Sequence, residues 1–318
     1  MNYRLAKRAG VELSEVGLGC NRLGENPCDE RHWVDLVRRA ADLGVNLFDT
    51  AQGYVGGRSE EILGAALGNR DDVYIATKIG HSEEGGFGVE RLAQQVEISL
   101  RRLRRDCVDL LQFHSPGREL LERYDWAESM EQLQRQGKVR FKAMALDSVD
   151  VALWLLQQDL VDFIQITYNI FDISAEEELF ALAEEKGVAL IVRLTLAQGV
   201  LAGKFRTEGD VAKEHRANLS KPHLQRRIEM AEDLRPLAEA YPGGMVHLAH
   251  HFSLTPNAVT SIIPGARNLE QLRANVAASN GAGLADSVHE NIEALRSDWG
   301  QWQGGYWFPN HPGSTSKI

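Results

Sequence analysis

Four residue types that together suit proton chemistry stand where apolar strands end in this sequence. Asp49 and Tyr54 share the turn in "NLFDTAQGYVGGRSEEILG", Lys78 closes "DVYIATK" and His114 closes "CVDLLQFH". A free tyrosine, with a pKa of about 10, is a poor acid at neutral pH. A lysine ammonium beside the phenol favours phenolate, and a carboxylate holding the lysine keeps that charge in place. A histidine N–H next to them can orient and polarise a carbonyl oxygen. The set suits a carbonyl whose carbon receives hydride while its oxygen receives a proton. No side chain donates hydride, so a nicotinamide cofactor is implied. Taken singly, each residue has an ordinary reading. Asp49 can cap a loop, Lys78 can be a solvated strand terminus, Tyr54 can pack on the next helix, and His114 can be a turn residue before Ser115 and Pro116. Four such coincidences at three successive strand ends are far harder to accept than one.

Something must bring those strand ends together. Apolar runs alternate with longer helical patterns along the whole chain: "EVGLG", "VNLFD", "DVYIATK", "CVDLLQFH", "VRFKAMA", "VDFIQI", "ALIVR" and "TSIIP". Most are nearly continuous in Val, Ile, Leu and Phe, as strands covered on both faces of a parallel sheet should be. The intervening "DERHWVDLVRRAADLG" places Trp33, Leu36, Val37, Ala40 and Leu43 at helical spacing, with Gly44 as its C-terminal stop. Eight strands alternating with helices over 318 residues predict an α/β fold of the (β/α)8 TIM-barrel type. The rival, an open doubly wound sheet, wants a glycine fingerprint after its first strand; "GLGCNRLG" supplies Gly17 and Gly19 but has Arg22 at the third position. Residues 2–13 read as a hairpin turning at Ala9–Gly10 that plugs the barrel bottom. Residues 204–222 read as a long polar loop before a charged helix, and "WGQWQGGYWFPNHPGSTSKI" as a C-terminal helical and aromatic tail. No linker divides the chain, so 1–318 is expected to be one domain.

A hydrophobic content of 43% with 25% charged residues allows a large buried core. The net charge of −10 argues against nucleic acid or an anionic membrane as partner, so an anionic ligand must be held by local Arg, Lys and backbone N–H groups. No apolar run approaches membrane-spanning length, and Cys20, Cys28 and Cys107 make no disulfide framework or metal-ligand spacing. A reducing cytoplasm is the expected location. His247, His250 and His251 share one helix in "VHLAHHF", but no carboxylate arrives at ligand spacing, so no metal is assigned.

The chain resembles the aldo-keto reductase family. "DTAQGYVGGRSEEILGAAL", "ATK", "DLLQFHSP", "QITYN", "LAQGVLAGKF" and "IIPGARNLEQLRAN" occur in family order and spacing, from "VGLGC" to the helix after Asn275. The resemblance implies that Tyr54 is the general acid, that Lys78 and Asp49 tune it, and that His114 orients the substrate carbonyl. It also implies an extended NADP(H), or NAD(H), across the barrel top. The nicotinamide carboxamide would lie near Gln165, with Asp49 and the turn Gly19, Cys20 and Asn21 beside it. The loop from Leu196 to Lys204 would wrap the pyrophosphate around Gln198 and Gly199. Pro264, Gly265 and Ala266 would lead into a helix N-terminus receiving the adenosine phosphate. Arg267 would meet a 2′-phosphate, and Gln271 and Asn275 would lie near the adenine.

Two departures from the family pattern stand out. Where many relatives carry a Ser-Asn pair after the fifth strand, this chain has Ala145 and Leu146, with Asp147 or Ser148 expected to cap the next helix. Where many stack a tyrosine on the nicotinamide, it has Arg193, whose guanidinium can also lie on a ring. The partner implied is a small carbonyl or sugar substrate, and no motif specifies an oligomeric state. Loops at 22–28, 82–88, 115–125 and 204–222 and the tail residues Trp299, Trp302, Tyr306, Trp307 and Phe308 would set its identity, with Phe87 and Trp126 as apolar candidates and Arg118 and Arg123 as cationic ones. The same resemblance admits a regulatory barrel like potassium-channel β-subunits, or the same site run oxidatively as a sugar or alcohol dehydrogenase.

Overall fold

The structure is a computed structural model that describes residues 1–299 apart from 69, 81–88, 208, 211–220 and 282. Strands β1 (Tyr3–Ala6) and β2 (Val11–Ser14) form an antiparallel hairpin in which Tyr3 faces Ser14 and Ala6 faces Val11. Gly10, at φ +66°, supplies the left-handed residue that its turn requires. There follow β3 (Leu18–Gly19), β4 (Leu47–Asp49), β5 (Tyr74–Ile79), β6 (Val108–His114), β7 (Val139–Ala145), β8 (Phe163–Thr167), β9 (Ala189–Arg193) and β10 (Val259–Ile262). These eight pair in parallel in chain order. Parallel bridges from Val16 to Ile262 and from Gly19 to Gly265 join the first strand to the last and close the sheet into a barrel.

Gly17 and Gly19 owe their presence to that seam. A Cβ on Gly17 would lie 2.8 Å from the Leu47 carbonyl oxygen, and one on Gly19 would lie 2.6 Å from that of Ile263. Only a residue without a side chain fits where β3 is squeezed between β4 and β10. The fragment that imitates a dinucleotide fingerprint is a barrel-closing device, and the doubly wound alternative is set aside.

Helices cover the outside: α1 (Glu30–Asp42), α2 (Arg58–Leu67), α3 (Val89–Leu103), α4 (Arg118–Arg123), α5 (Trp126–Arg135), α6 (Val149–Gln157), α7 (Leu179–Lys186), α8 (Lys221–Asp233), α9 (Arg235–Ala240), α10 (Gly244–Leu254), α11 (Leu269–Ala277) and α12 (Asp286–Trp299). The helix expected from "DERHWVDLVRRAADLG" is α1. Asp29 caps it by accepting the His32 N–H, and Trp33, Leu36, Val37 and Ala40 are buried. Leu43, read as part of that apolar stripe, lies past the last turn and is 37% exposed. Gly44 follows at φ +91°, the position after the cap where glycine is favoured.

Strand alternation sorts side chains into two sets. Phe48, Ile75, Leu111, Phe113, Met144, Ile164 and Leu190 pack outward against the helices. Leu47, Ala76, Leu110, Ala143, Phe163 and Ala189 point inward and form a separate apolar cluster with Ala6, Val11 and Leu13 of the hairpin. The hairpin therefore plugs the bottom of the barrel, as expected. With the floor filled by apolar groups, the next inward positions are left for the polar chemistry at the top.

Candidate active site

One step up each strand from that floor lie Asp49, Lys78, Gln112 and Gln165. The register sets Asp49 opposite Ala76, Lys78 opposite Gln112 and Ala145 opposite Gln165, so the four converge inside the barrel. Lys78 Nζ donates to Asp49 Oδ2 at 2.5 Å, to the Thr50 carbonyl at 3.0 Å and to the Tyr54 hydroxyl oxygen at 3.4 Å. Asp49 Oδ1 accepts from Gln112 Nε2 at 2.9 Å and from Gln165 Nε2 at 2.7 Å. Lys78 and Asp49 are 2% and 4% exposed, so this is an ion pair in which each charge is sustained by the other. Burial would depress the Lys78 ammonium, but Asp49 and then Tyr54 outweigh it and hold its pKa above the usual lysine value. The lysine stays charged.

Tyr54 is presented by a strained turn. Val55, Gly56 and Gly57 occupy the left-handed region in succession, at φ 49°, 62° and 94°. Gly57 is required by its left-handed φ, and a Cβ there would also press on the Arg102 guanidinium. Interlocking bonds hold the turn in place. Gln52 N–H donates to the Lys78 carbonyl, Ser59 Oγ donates to the Cys20 carbonyl at 2.7 Å, and Thr50 Oγ1 therefore donates to Ser59 Oγ. Behind them the fully buried Glu60 accepts from Thr77 Oγ1 at 2.6 Å and Arg102 Nη1 at 3.1 Å, while Arg102 also donates to the Gln52 carbonyl. The Tyr54 and His114 rings meet edge to face, 5.9 Å between centroids, and Lys78 Nζ lies 5.1 Å from the tyrosine centroid. The four sequence-predicted residues are thus one cluster.

Tyr54, His114 and Asp49 border a cavity of about 790 Å³. Every residue assigned above to a cofactor borders the same cavity, from Gly19, Cys20 and Asn21 through Gln165 and Arg193 to Asn275. The loop after β9 curves through left-handed residues at Gln198 (φ 59°) and Gly199 (φ 88°). In the loop after β10, Asn268 caps α11 by accepting the Gln271 N–H, and Gln271 Oε1 accepts the Arg267 N–H at 2.9 Å. Asn275 Nδ2 donates to the Gly265 carbonyl, and His32 Nε2 donates to that of Arg267 at 2.8 Å. Both amides expected near an adenine are thus engaged in fixing the loop that carries Arg267. The lining holds Arg22, Arg193, Lys204 and Arg267 beside the acids Asp49 and Asp147, in a protein of net charge −10; Arg22 pairs with Glu25 at 3.0 Å and Asp49 with Lys78. Among the described residues, the buried Thr195 Oγ1 on the same wall has no hydrogen-bond partner. A cationic, hydrogen-bonding cleft of this size fits a phosphate-bearing dinucleotide.

Several expectations change in the structure. Gln112 holds Asp49 and is missing from the residues assigned above, although a glutamine inside the apolar "DLLQFH", on the same strand face as His114, is a signal. Arg193 does not stand alone on the cavity wall: its Nη2 donates to the Leu146 carbonyl at 2.8 Å and to Asp147 Oδ1. Ser148, and not Asp147, caps α6. Trp126 is 3% exposed against Phe113 and belongs to the core. Arg118 and Arg123 pair with Glu122 and Glu119 on α4 and do not border the cavity. Phe87, the loop at 82–88, residues 211–220 of the expected 204–222 loop, and the tail residues Trp302, Tyr306, Trp307 and Phe308 lie outside the described residues, and α8 begins at Lys221, before the expected end of that loop; Trp299 donates from Nε1 to Asp233. Cys20 borders the cavity as a buried thiol, which burial and then the Asp49 charge push well above the usual range.

The three histidines of α10 serve as fasteners to α11. His247 Nε2 donates to the Ala274 carbonyl, His250 Nε2 to Asn275 Oδ1, and His251 Nε2 to the Ala278 carbonyl. Among the described residues, no three His, Cys, Asp or Glu side chains gather so as to hold a metal. Burial pushes His250 down to about 4, with the neighbouring His247 and His251 adding to the effect against the Asn275 bond. A histidine depressed in the folded state stabilises the fold above its unfolded value and loses that contribution as pH falls. Between pH of about 6.5 and about 4, His250 should therefore remove about 3 kcal/mol of stability. Denaturant unfolding of the wild type and of His250→Gln at both pH values should show the variant losing that much less. Parallel losses would remove His250 as the cause.

The aldo/keto reductase family model matches residues 15–297 of the chain. Aldo-keto reductase YhdN of Bacillus subtilis (strain 168) is 31% identical over 290 residues, 86% of this chain and 87% of the relative. The NADH-specific methylglyoxal reductase of Escherichia coli (strain K12) is 31% identical over 316 residues, 90% of this chain and 96% of the relative. Among solved structures, the holo form of aldo-keto reductase AKR11C1 from Bacillus halodurans superposes with a TM-score of 0.80 at 28% identity, covering 93% of this chain and 96% of that one.

Proposed function

The chain belongs to the aldo/keto reductase family, and from that premise we propose that it is a single-domain, cytoplasmic, NADP(H)-dependent reductase of an aldehyde, ketone or sugar, with Tyr54 as its proton donor. The observation that carries this reading is Lys78 Nζ buried between Asp49 Oδ2 and the Tyr54 hydroxyl, at 2.5 and 3.4 Å, behind a cavity that Asp49 and Tyr54 border. The bound nicotinamide would supply the hydride. The chain's own residues do the rest. Tyr54 gives its proton to the substrate oxygen, and the Lys78 ammonium stabilises the phenolate left behind. Asp49 fixes the ammonium and is itself fixed by Gln112 and Gln165. His114, against the tyrosine ring, presents an N–H to the carbonyl oxygen and so sets which lone pair meets the phenol. Oxidation of an alcohol uses the same groups in reverse, with Tyr54 as base. The reading is tested by following NADPH and NADH absorbance against aldehydes, ketones and sugars; no turnover on any of them with either cofactor would reject it.

The choice of NADP(H) over NAD(H) rests on Arg267, which borders the cavity between β10 and α11. A relative named as NADH-specific shows that the family scaffold also serves the other cofactor. Arg267→Ala should raise the NADPH KM about tenfold, a loss of the size expected for one charge-assisted contact, with the NADH KM changed by less than about twofold. Equal changes in both would assign the arginine no phosphate role.

A further inference from the structure

The two departures from the family pattern, at the ends of β7 and β9, prove to be joined. Arg193 reaches across the end of β8 and donates from Nη2 to the Leu146 carbonyl at 2.8 Å and to the Asp147 carboxylate. The register locates this pair beside the chemistry. Ala145 pairs with His114 on one side and Gln165 on the other, and Thr167, two residues above Gln165, pairs with Arg193. Both side chains border the cavity, 18% and 39% exposed, and neither is needed to cap α6, which Ser148 does.

An unpaired arginine on that wall would favour a carboxylate or phosphate. Here its charge is met by Asp147, so the pair offers guanidinium N–H donors beside carboxylate acceptors with no net charge. That set complements a neutral group carrying one acceptor and two donors, which is the hydrogen-bonding inventory of a primary carboxamide. Other cationic side chains, Lys204 and Arg267 and the Glu25-paired Arg22, stand elsewhere on the cavity wall. We propose that Arg193 and Asp147 act as one clasp for the carboxamide of the nicotinamide, selecting it over a carboxylate at the same ring position. The clasp rests on the dinucleotide reading given above.

Three probes separate the clasp from that reading: NADP+, its nicotinic-acid analogue in which the carboxamide is a carboxylate, and 2′,5′-ADP, which lacks the nicotinamide altogether. Titration calorimetry on the wild type should find NADP+ bound at least about tenfold more tightly than the carboxylate analogue, because Asp147 repels a second anion. Asp147→Asn should shrink that gap to about twofold or reverse it, and Arg193→Lys, which keeps the charge but loses the fork, should weaken NADP+ about tenfold. Both variants should bind 2′,5′-ADP as the wild type does, which also shows that they are folded. A wild type without the gap, a gap untouched by Asp147→Asn, or equal losses for NADP+ and 2′,5′-ADP would each overturn the clasp alone. A wild type that binds neither NADP+ nor 2′,5′-ADP would overturn the dinucleotide reading and the clasp with it.

Discussion

Tyr54→Phe should lower kcat by about 10³-fold, within the range for loss of a positioned general acid, while NADPH binding stays within about twofold of the wild type because no cofactor contact is assigned to the hydroxyl. The substitution removes one oxygen from the cavity and little else. The ring that meets His114 edge to face remains, as does the ring face 5.1 Å from Lys78 Nζ. Lys78 loses its longest hydrogen bond but keeps Asp49 and the Thr50 carbonyl. The turn is held by backbone atoms, Ser59, Glu60 and Arg102, none of which touches the phenol oxygen through a bond described above. Residual turnover would come from substrate held beside the hydride donor, with water as the acid. Single-turnover hydride transfer at saturating cofactor, together with a fluorescence titration of NADPH, measures both parts. Full turnover in the variant would mean that the proton comes from elsewhere, with His114 the remaining group at hand.

Asp49, Lys78 and His114 are legible because each closes a run that is otherwise apolar, where a polar group must face either solvent or a site, and Tyr54 because it lies on the turn just past one such end. Gln112 obeys the same logic one position deeper. It is harder to see because it interrupts its strand instead of ending it, although Leu110, Gln112 and His114 alternate on one face. The Arg193–Asp147 pair has no local signature, since it depends on barrel curvature bringing the ends of β7 and β9 together over β8. Trp126 is misleading for a related reason. Helical spacing says that a face is buried, but not whether it packs under a site or on Phe113 behind the barrel wall. Gly17 and Gly19 carry a real constraint whose cause lies in partners far along the chain, the carbonyls of Leu47 and Ile263. What the sequence reveals here is therefore local: strand ends, caps and turns. What it conceals is closure.

On the proposed mechanism Lys78→Met should lower kcat by at least about 10³-fold, since the group that would stabilise a Tyr54 phenolate is lost, and it should also destabilise the fold by about 3–5 kcal/mol. The second effect arises because Asp49, 4% exposed, would keep two amide donors but no cation. Activity loss alone would then be ambiguous, because a half-unfolded enzyme is also slow. The double variant Lys78→Met/Asp49→Asn separates the two effects. With both charges gone, the amide that replaces the carboxylate would still offer an oxygen to Gln112 and Gln165, and the methionine fills the volume of the lysine stem. Stability should return to within about 1–2 kcal/mol of the wild type, as buried ion pairs commonly exchange for neutral groups at little net loss. Activity should stay at the single-variant level, because nothing would stabilise the phenolate that Tyr54 becomes. Denaturant unfolding and steady-state rates on the same three proteins decide the matter. If turnover recovered along with stability, the buried pair would be scaffolding, and the proton donor would have to work without the cation 3.4 Å away.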